Sequence, residues 1–170
     1  MTQLMLPSNS NFSGKIHGGY ILNLMDQIAF SCASRHSGHY AVTASVNKVD
    51  FLHPIEVGEL VTLKSSVNYT GRTSMLVGVR VESENIQTGE VKHCNSSYFT
   101  MVAKDKDGKS TPVPGLILDS ADSIRHFARS IERQSQGRER DEKYRPESFK
   151  VEDFLEVLRA QNAEVRWEDS

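Results

Sequence analysis

The sequence has 170 residues, which corresponds to one domain of ordinary size and is long enough to bury a core. Its 20 Lys and Arg residues against 22 Asp and Glu residues give a net charge of −2, which excludes the basic footprint of a dedicated nucleic-acid-binding protein. No apolar run reaches the length of a membrane span, and the two cysteines, Cys32 and Cys94, are too few for a disulfide scaffold or a zinc site. The first ten residues lack the charged start and apolar stretch of a signal peptide, so we expect a reduced, soluble, cytoplasmic protein.

A long helix is predicted after the first polar turn of the chain. A short apolar stretch, Leu4 to Leu6, precedes that turn and ends at Pro7. Apolar residues then recur at the i, i+3, i+4, i+7 and i+11 spacing of one helical face: Ile21, Leu24, Met25, Ile28 and Cys32. Gly18 and Gly19 stand near the predicted start of this helix, and Gly38 stands near its end.

Beyond Gly38 the apolar period changes to the two-residue repeat of β-strands. Short turns containing Gly or Pro separate four β-rich segments, predicted at Tyr40–Phe51, Leu60–Thr70, Ser74–Glu84 and Val91–Lys104. Since no helix lies between these segments, an antiparallel sheet is the economical arrangement. One long helix before a run of antiparallel strands predicts an α+β fold in which the helix packs on one face of the sheet.

The C-terminal part of the chain differs from the rest in charge. The last 50 residues hold 22 of the 42 charged side chains, 10 basic and 12 acidic. We expect a core domain over residues 1–118 and a charged, mostly helical extension over residues 119–170. Within the extension, a helix is predicted at Ala121–Ser135, a charged linker at Gln136–Pro146 and a second short helix at Val151–Leu158.

Asp26 is the most informative residue of the predicted helix. Its helical neighbours Leu22, Ala29 and Ala33 are apolar, so its carboxylate stands away from the polar stripe of the helix. Aspartate is a poor helix-interior residue, and burying its charge is costly unless it is paired. Two interpretations stay open at this point: a functional carboxylate, and a helix-flank side chain that reaches water or caps a neighbour.

Gly18 and Gly19 lie where the first N–H groups of the helix lack intrahelical partners and the helix dipole is positive. Glycines there allow a ligand carbonyl to approach those donors, as in an oxyanion hole, although a plain glycine-rich turn has the same sequence. Gly18 is eight residues from Asp26, about 12 Å along a helix axis. If both serve one site, that site must combine the helix start of one subunit with the Asp26 of another, so that a two-fold dimer has two sites.

These residues also carry a resemblance to a known family. The pattern Asn11-x-x-Gly14-x-Ile16-His17-Gly18-Gly19, followed by Met25-Asp26, resembles the opening of the hotdog-fold acyl-CoA thioesterases, and in particular their cytosolic acyl-CoA hydrolase branch. The stretches from Ala44 to Gly58, from Thr70 to Ser74 and from Phe99 to Pro114 resemble that branch as well. The likeness covers about residues 4 to 116 and implies a hotdog fold.

The resemblance implies a role for each matching residue. Asp26 is the catalytic carboxylate, as general base for water or as nucleophile, and Asn11 orients the water or the carbonyl. The Gly18 N–H of the partner subunit polarises the thioester carbonyl. Coenzyme A passes between subunits along Arg72, Thr73 and Ser74, while His17 and Gly19 belong to the same substrate-binding helix start, where His17 is interpreted mainly as holding the turn.

The implied reaction is the hydrolysis of acyl-CoA to free CoA and a carboxylic acid, with no metal and no cofactor. The implied assembly is a homo-oligomer, at least a dimer and in the family a trimer of dimers, with no nucleic-acid or membrane partner. Arg72 also fits a solvated hairpin residue. Two other functions use the same fold: an acyl-thioester dehydratase or hydratase, which needs a histidine placed for proton transfer, and a non-catalytic acyl-CoA sensor.

Overall fold

The computed structural model describes residues 1–147, 149–162 and 166 of the chain. Two compact units divide it, Met1–Ser130 and Ile131–Ser170. The predicted boundary at residue 118 lies inside the first unit and stays a prediction about domain organisation. Six strands and three α-helices occur in the described residues: β1 Thr2–Leu4, α1 Gly18–Ser37, β2 Tyr40–Val46, β3 Asp50–Phe51, β4 Leu60–Thr70, β5 Ser74–Glu84, β6 Val91–Lys104, α2 Ala121–Lys143 and α3 Leu155–Arg159.

The first unit is an antiparallel sheet with the long helix α1 packed against it. The strand order is β1-β4-β5-β6-β2, and β3 pairs with β6 beside β2. All five pairings of the described strands are antiparallel, and short turns join two of the pairs, β4 to β5 and β5 to β6. The predicted α+β arrangement, with one helix on one sheet face, is confirmed.

The core lies between α1 and the sheet. Met25, Ala29 and Ala33 of α1 are fully buried, as are inward-facing strand residues such as Val77 and Met101. Small alanines on the helix face let the helix axis approach the sheet closely. Gly38 ends α1 with φ of 70°, a left-handed conformation in which a side chain would be strained, so the glycine turns the chain directly into β2.

Three predicted boundaries differ from the structure. The segment predicted as one strand over Tyr40–Phe51 is two strands, β2 and β3, separated by residues 47–49. The strand β1, which pairs with β4, was not predicted as an element, because three residues are too few to show a period. The predicted linker at Gln136–Pro146 is wrong, since α2 continues to Lys143.

The longer α2 has a local physical cause. Side chains one turn apart bond to each other across the predicted linker: Gln136 donates to Glu132 Oε1 at 3.2 Å, and Ser135 donates to Glu139 Oε1 at 3.0 Å. Such i, i+4 pairs stabilise a charged helix that has little apolar surface.

The second unit holds the C-terminal part of this helix and a small cluster of aromatic rings. The centroids of Phe149 and Phe154 lie 4.8 Å apart, and Tyr144 packs on both rings. The predicted second short helix is present as a 3-10 turn, Glu152–Phe154, that leads into α3. Among the described residues, no helix combines the length and apolar character that a membrane span requires.

Two ion clusters stabilise the β4–β5–β6 part of the sheet. Glu82 accepts hydrogen bonds from Lys64 Nζ at 2.6 Å and from Arg80 Nε at 2.7 Å. Lys92 Nζ lies 2.7 Å from Glu59 Oε1, and only 7% of the Glu59 side chain is exposed. The first cluster is close to solvent and the second is largely buried.

Candidate active site

Asp26 lies in the middle of α1, half-buried, and is tied to the neighbouring strand. Its Oδ1 accepts a hydrogen bond of 2.5 Å from the hydroxyl of Thr43, on β2. The Thr43 hydroxyl also lies 3.4 Å from the sulfur of Met101. The carboxylate is therefore neither buried without a partner nor freely solvated, and its orientation is set by one hydroxyl.

A cavity of about 570 Å³ opens beside this carboxylate, between α1 and β2. The residues that line it come from one stretch of each element: Asp26, Gln27, Phe30 and Ser31 from the helix, and Tyr40, Ala41, Val42 and Thr43 from the strand. At the end away from Asp26, the rings of Phe30 and Tyr40 meet edge to face with centroids 5.3 Å apart. The cavity thus has a carboxylate and a hydroxyl at one end and an aromatic wall at the other.

The start of α1 presents one free backbone donor. His17 is the N-cap residue, and its Nδ1 accepts a hydrogen bond from Gly19 N–H at 2.9 Å. The Gly18 N–H has no acceptor in the part of the chain that the structure describes. A Cβ at Gly18 would lie 3.2 Å from the Phe51 ring, so the glycine allows this ring to pack against the helix start. Of the two predicted donors, only Gly18 is available to a ligand, since His17 holds the other.

Asn11 belongs to a tight turn just before this helix. Its Oδ1 accepts hydrogen bonds from Ser13 N–H at 2.9 Å, from the Ser13 hydroxyl at 2.7 Å and from Lys15 N–H at 3.2 Å. These three bonds fix the amide plane, and the Nδ2 group donates to no acceptor in the described residues. Asn11 can therefore offer a fixed amide donor to a carboxylate, a carbonyl or a water molecule.

The opposite end of the sheet holds Arg72 and Thr73, in the turn between β4 and β5, and Ser74, the first residue of β5. Their backbone is held by neighbouring segments: Val113 N–H donates to Arg72 O, and Ala103 N–H donates to Thr73 O. Ser74 is opposite Val102 on β6, whereas Phe51, against Gly18, is opposite Asn95. Val102 and Asn95 are seven residues apart on β6, which corresponds to about 23 Å along the strand. The Arg72 side chain is exposed there.

One protomer therefore does not bring the predicted site residues together. Asn11, His17, Gly18 and Gly19 cluster at the start of α1, and Asp26 lies about 12 Å further along the helix. The segment Arg72 to Ser74 lies near the C-terminal end of α1, where Val113 bonds to Arg72 and the neighbouring Pro114 to His36. The strand β2, which holds Thr43, is the last in the sheet order, and no described strand pairs with its outer edge. Thr43 to Val46 on that edge are exposed.

Thr43 is the site residue that sequence reasoning did not find. A carboxylate in the middle of a helix needs a hydrogen-bond donor from another element, and several residues with hydroxyl groups follow α1 in the sequence. Which of them faces Asp26 depends on the register of β2 on β6, where the pairing shifts between Thr43 and Ser45. The Phe30–Tyr40 wall depends on the same register.

Comparison with known proteins places this chain in a family. Residues 13–90 match the model of the thioesterase superfamily. The chain is 43% identical to protein VdlD of Helicobacter pylori over 134 residues, covering 79% of this chain and 76% of that protein. It is 34% identical to an uncharacterized acyl-CoA thioester hydrolase, YkhA, of Bacillus subtilis, covering 82% and 81%.

Solved structures agree with the fold. An apo-hexameric acyl-CoA thioesterase superposes with a TM-score of 0.80 at 39% identity, over 82% of this chain and 90% of that one. An acyl-CoA hydrolase of Staphylococcus aureus, solved with butyryl coenzyme A, coenzyme A and coenzyme A disulfide, superposes with a TM-score of 0.77 at 27% identity, over 94% and 93%. The hotdog fold expected from the resemblance is confirmed by these superpositions. The Staphylococcus enzyme has also been solved with alanine replacing an asparagine, an aspartate and a threonine.

Proposed function

The chain belongs to the thioesterase superfamily, among its acyl-CoA thioester hydrolases, and from this premise we propose that it hydrolyses acyl-CoA to free CoA and a carboxylic acid. The observation that carries the proposal is the Asp26 carboxylate, held by Thr43 at the mouth of a cavity with an aromatic far wall. A carboxylate there can take a proton from water or attack a thioester directly, and the acyl chain has room beside it.

The spacing of three residues supports this assignment. The asparagine, aspartate and threonine replaced in the Staphylococcus aureus hydrolase are separated by 15 and 17 positions. Asn11, Asp26 and Thr43 have the same two separations in this chain. Each of the three therefore has a counterpart of the same type, in the same order and at the same distance.

In the proposed reaction, the thioester carbonyl accepts a hydrogen bond from the free Gly18 N–H at the positive end of α1. A water molecule gives a proton to Asp26 and adds to the carbonyl carbon. The C–S bond then breaks, and the CoA thiolate takes up the proton that Asp26 accepted, which restores the carboxylate. If Asp26 is instead the nucleophile, an anhydride with the acyl group forms first and water cleaves it. His17 and Gly19 keep the helix start in shape, while Asn11 holds the water or the carbonyl.

We place Gly18 and Asn11 of one subunit opposite Asp26 of another. Within a protomer, Gly18 is about 12 Å from Asp26 along the helix. The unpaired edge of β2, beside Asp26 and Thr43, can accept the same edge of a second copy, and a two-fold axis there makes two equal sites. Larger assemblies, such as a trimer of dimers, would bring the exposed Arg72 guanidinium, with Thr73 and Ser74, to the CoA phosphates of a neighbour.

The first experiment measures thiol release from a series of acyl-CoAs by the wild type, Asp26→Asn and Asn11→Ala. Turnover that collapses in Asp26→Asn while CoA still binds would support the proposed base or nucleophile. Tight acyl-CoA binding without release by the wild type would indicate a sensor. Hydration of an unsaturated acyl-CoA without thiol release would indicate a hydratase. Turnover unaffected by Asp26→Asn would contradict the role of that residue.

A second experiment tests the composite site. Asp26→Asn and Asn11→Ala subunits are unfolded together and refolded as a mixture. Half of the dimers are then mixed, and each mixed dimer has one site with both native residues, so about a quarter of wild-type activity should return. Recovery no greater than the average of the two separate variants would contradict sharing of the site between subunits. Light scattering on the wild type gives the oligomeric state directly.

A further inference from the structure

The cavity beside Asp26 has a defined far end. Phe30 lies one helical turn beyond Asp26, about 6 Å along the axis, and Tyr40 lies three strand residues from Thr43, about 10 Å. The two rings lie at that end of the cavity in edge-to-face contact, with centroids 5.3 Å apart. A chain that starts at the carboxylate and runs along the cavity therefore meets this ring pair.

The lining between the two ends suits an aliphatic chain. Ala41 and Val42 line the strand side, and the side chains of both are purely aliphatic. On the helix side, the Ser31 hydroxyl already donates to Gln27 O at 2.9 Å, so it does not require a polar ligand. Gln27, the other polar side chain of the helix side, is exposed and can keep its amide in water.

We infer that the Phe30–Tyr40 pair sets the acyl-chain length that this enzyme accepts, an inference that rests on the proposed function. Chains short enough to end before the rings gain apolar contact with each added methylene. Longer chains must displace the rings or leave the cavity. The substrate class is therefore the short- to medium-chain acyl-CoAs, with long-chain acyl-CoAs disfavoured.

The expected signature is a break in the chain-length series. Each methylene that enters an apolar cavity improves kcat/KM about fourfold, provided that the contact persists in the transition state. For the wild type, kcat/KM should rise from acetyl-CoA until the chain reaches the rings and should fall beyond that length. The position of the maximum reports the distance from the reacting carbon to the wall.

The test compares Phe30→Ala and Tyr40→Ala with the wild type over saturated acyl-CoAs from acetyl to palmitoyl. In both variants, we expect the maximum to move to longer chains and the palmitoyl-to-butyryl ratio of kcat/KM to rise about tenfold or more. Tyr40 is 63% exposed, so Tyr40→Ala keeps the test valid if Phe30→Ala fails to fold. Phe127→Ala is the matched control, because Phe127 belongs to another ring pair, with Tyr69 at 5.0 Å, outside the cavity.

The outcomes separate this inference from the proposed function. Length profiles of Phe30→Ala and Tyr40→Ala that superimpose on the wild-type profile would overturn the inference, and so would an equal shift in Phe127→Ala. If the wild type releases no thiol from any acyl-CoA, the proposed function is wrong. The same series is then measured as Kd by calorimetry, where loss of the length maximum in the two variants still supports the wall, and an unchanged maximum rejects it.

Discussion

The carboxylate of Asp26 accepts a 2.5 Å hydrogen bond from the hydroxyl of Thr43, which joins the middle of α1 to the edge strand β2. The bond spans only 17 residues of sequence, yet it crosses from the central helix to the boundary of the sheet. It fixes the orientation of the proposed catalytic group on the side where a second copy can add its own strand. The Thr43 hydroxyl therefore connects the orientation of the proposed catalytic carboxylate to the strand edge proposed for subunit contact.

Thr43→Val removes this hydroxyl and keeps the shape of the side chain. Because a hydrogen bond to a charged group contributes about 1.5–3 kcal/mol, we expect kcat/KM for acyl-CoA hydrolysis to fall about ten- to a hundredfold. Thr43→Ser retains the donor and should keep most of the activity. A Thr43→Val enzyme as active as Thr43→Ser would show that the bond has no role in turnover. Thermal unfolding of both variants separates this loss from a loss of stability.

The sequence predicts the parts of this fold in which periodicity is long. The strands at Leu60–Thr70, Ser74–Glu84 and Val91–Lys104 have the predicted bounds, because each runs for eleven or more residues with alternating burial. The strand β1 was missed because its stability comes from pairing with β4, about 60 residues away. The predicted helix α2 is too short, because the many charged residues of its C-terminal half are also typical of a linker. The sequence does not show which of these side chains pair along the helix.

For the candidate site, the sequence indicates residue types but not which residues meet. Asp26 and Gly18 stand out from their positions on a helix, and the need for a second subunit follows from the helical rise between them. Thr43 and the Phe30–Tyr40 pair depend on a strand register that no local pattern specifies. The Asn11 turn could be identified only by resemblance, since its three hydrogen bonds join residues that read as an ordinary polar loop.

His17→Ala tests how the helix start is held. The substitution removes the N-cap acceptor for Gly19 N–H, and such a loss costs about 0.5–2 kcal/mol of unfolding free energy. His17→Asn, which can accept the same bond, should recover most of that stability. Denaturant unfolding measures both variants. Equal stability of His17→Ala and the wild type would contradict the capping role.

Glu82 makes stability depend on pH in the acid range. Hydrogen bonds from Lys64 and then Arg80 lower the pKa of Glu82 from 4.5 to about 2, against the opposing effect of burial. A lowered folded-state pKa stabilises the fold fully above pH 4.5, and the stabilisation is lost as the pH falls from 4.5 towards 2. Since Lys64 and Arg80 are 60% and 50% exposed, we expect about 1 kcal/mol at neutral pH.

The comparison of Glu82→Gln with the wild type by thermal unfolding checks this expectation. The Tm of Glu82→Gln should be lower at pH 7. The difference should shrink as the pH falls from 4.5 to 2, where about half of the wild-type carboxyls are protonated in the folded state. Glu90→Gln, in the exposed turn between β5 and β6, is the control and should follow the wild-type curve. A Tm difference that stays constant with pH would show that Glu82→Gln destabilises the fold through side-chain packing and not through the loss of charge.

The buried pair of Glu59 and Lys92 should respond more strongly. Burial works against the charge of Glu59, but hydrogen bonds from Lys92, from Glu56 N–H and from Ser83 outweigh it, so the pKa of Glu59 is lowered. Burial likewise opposes the charge of Lys92, and the bond to Glu59 nevertheless raises the pKa of Lys92. The pair therefore stabilises the fold above pH 4.5 and below pH 10.5, and this stabilisation is lost outside that window, on the acid side through Glu59 and on the alkaline side through Lys92.

Lys92→Met leaves the Glu59 carboxylate, 7% exposed, without its cation, and we expect unfolding free energy to fall by about 3 kcal/mol at pH 7. The deficit should shrink as the pH falls, because a protonated carboxyl at Glu59 no longer needs a cation. The double variant Glu59→Leu with Lys92→Met removes both charges and should regain most of the loss. Denaturant unfolding of the wild type, Lys92→Met, Glu59→Leu and the double variant across pH completes the double-mutant cycle. A double variant as unstable as Lys92→Met would mean that packing of the lysine stem, and not the charge left on Glu59, dominates at this position.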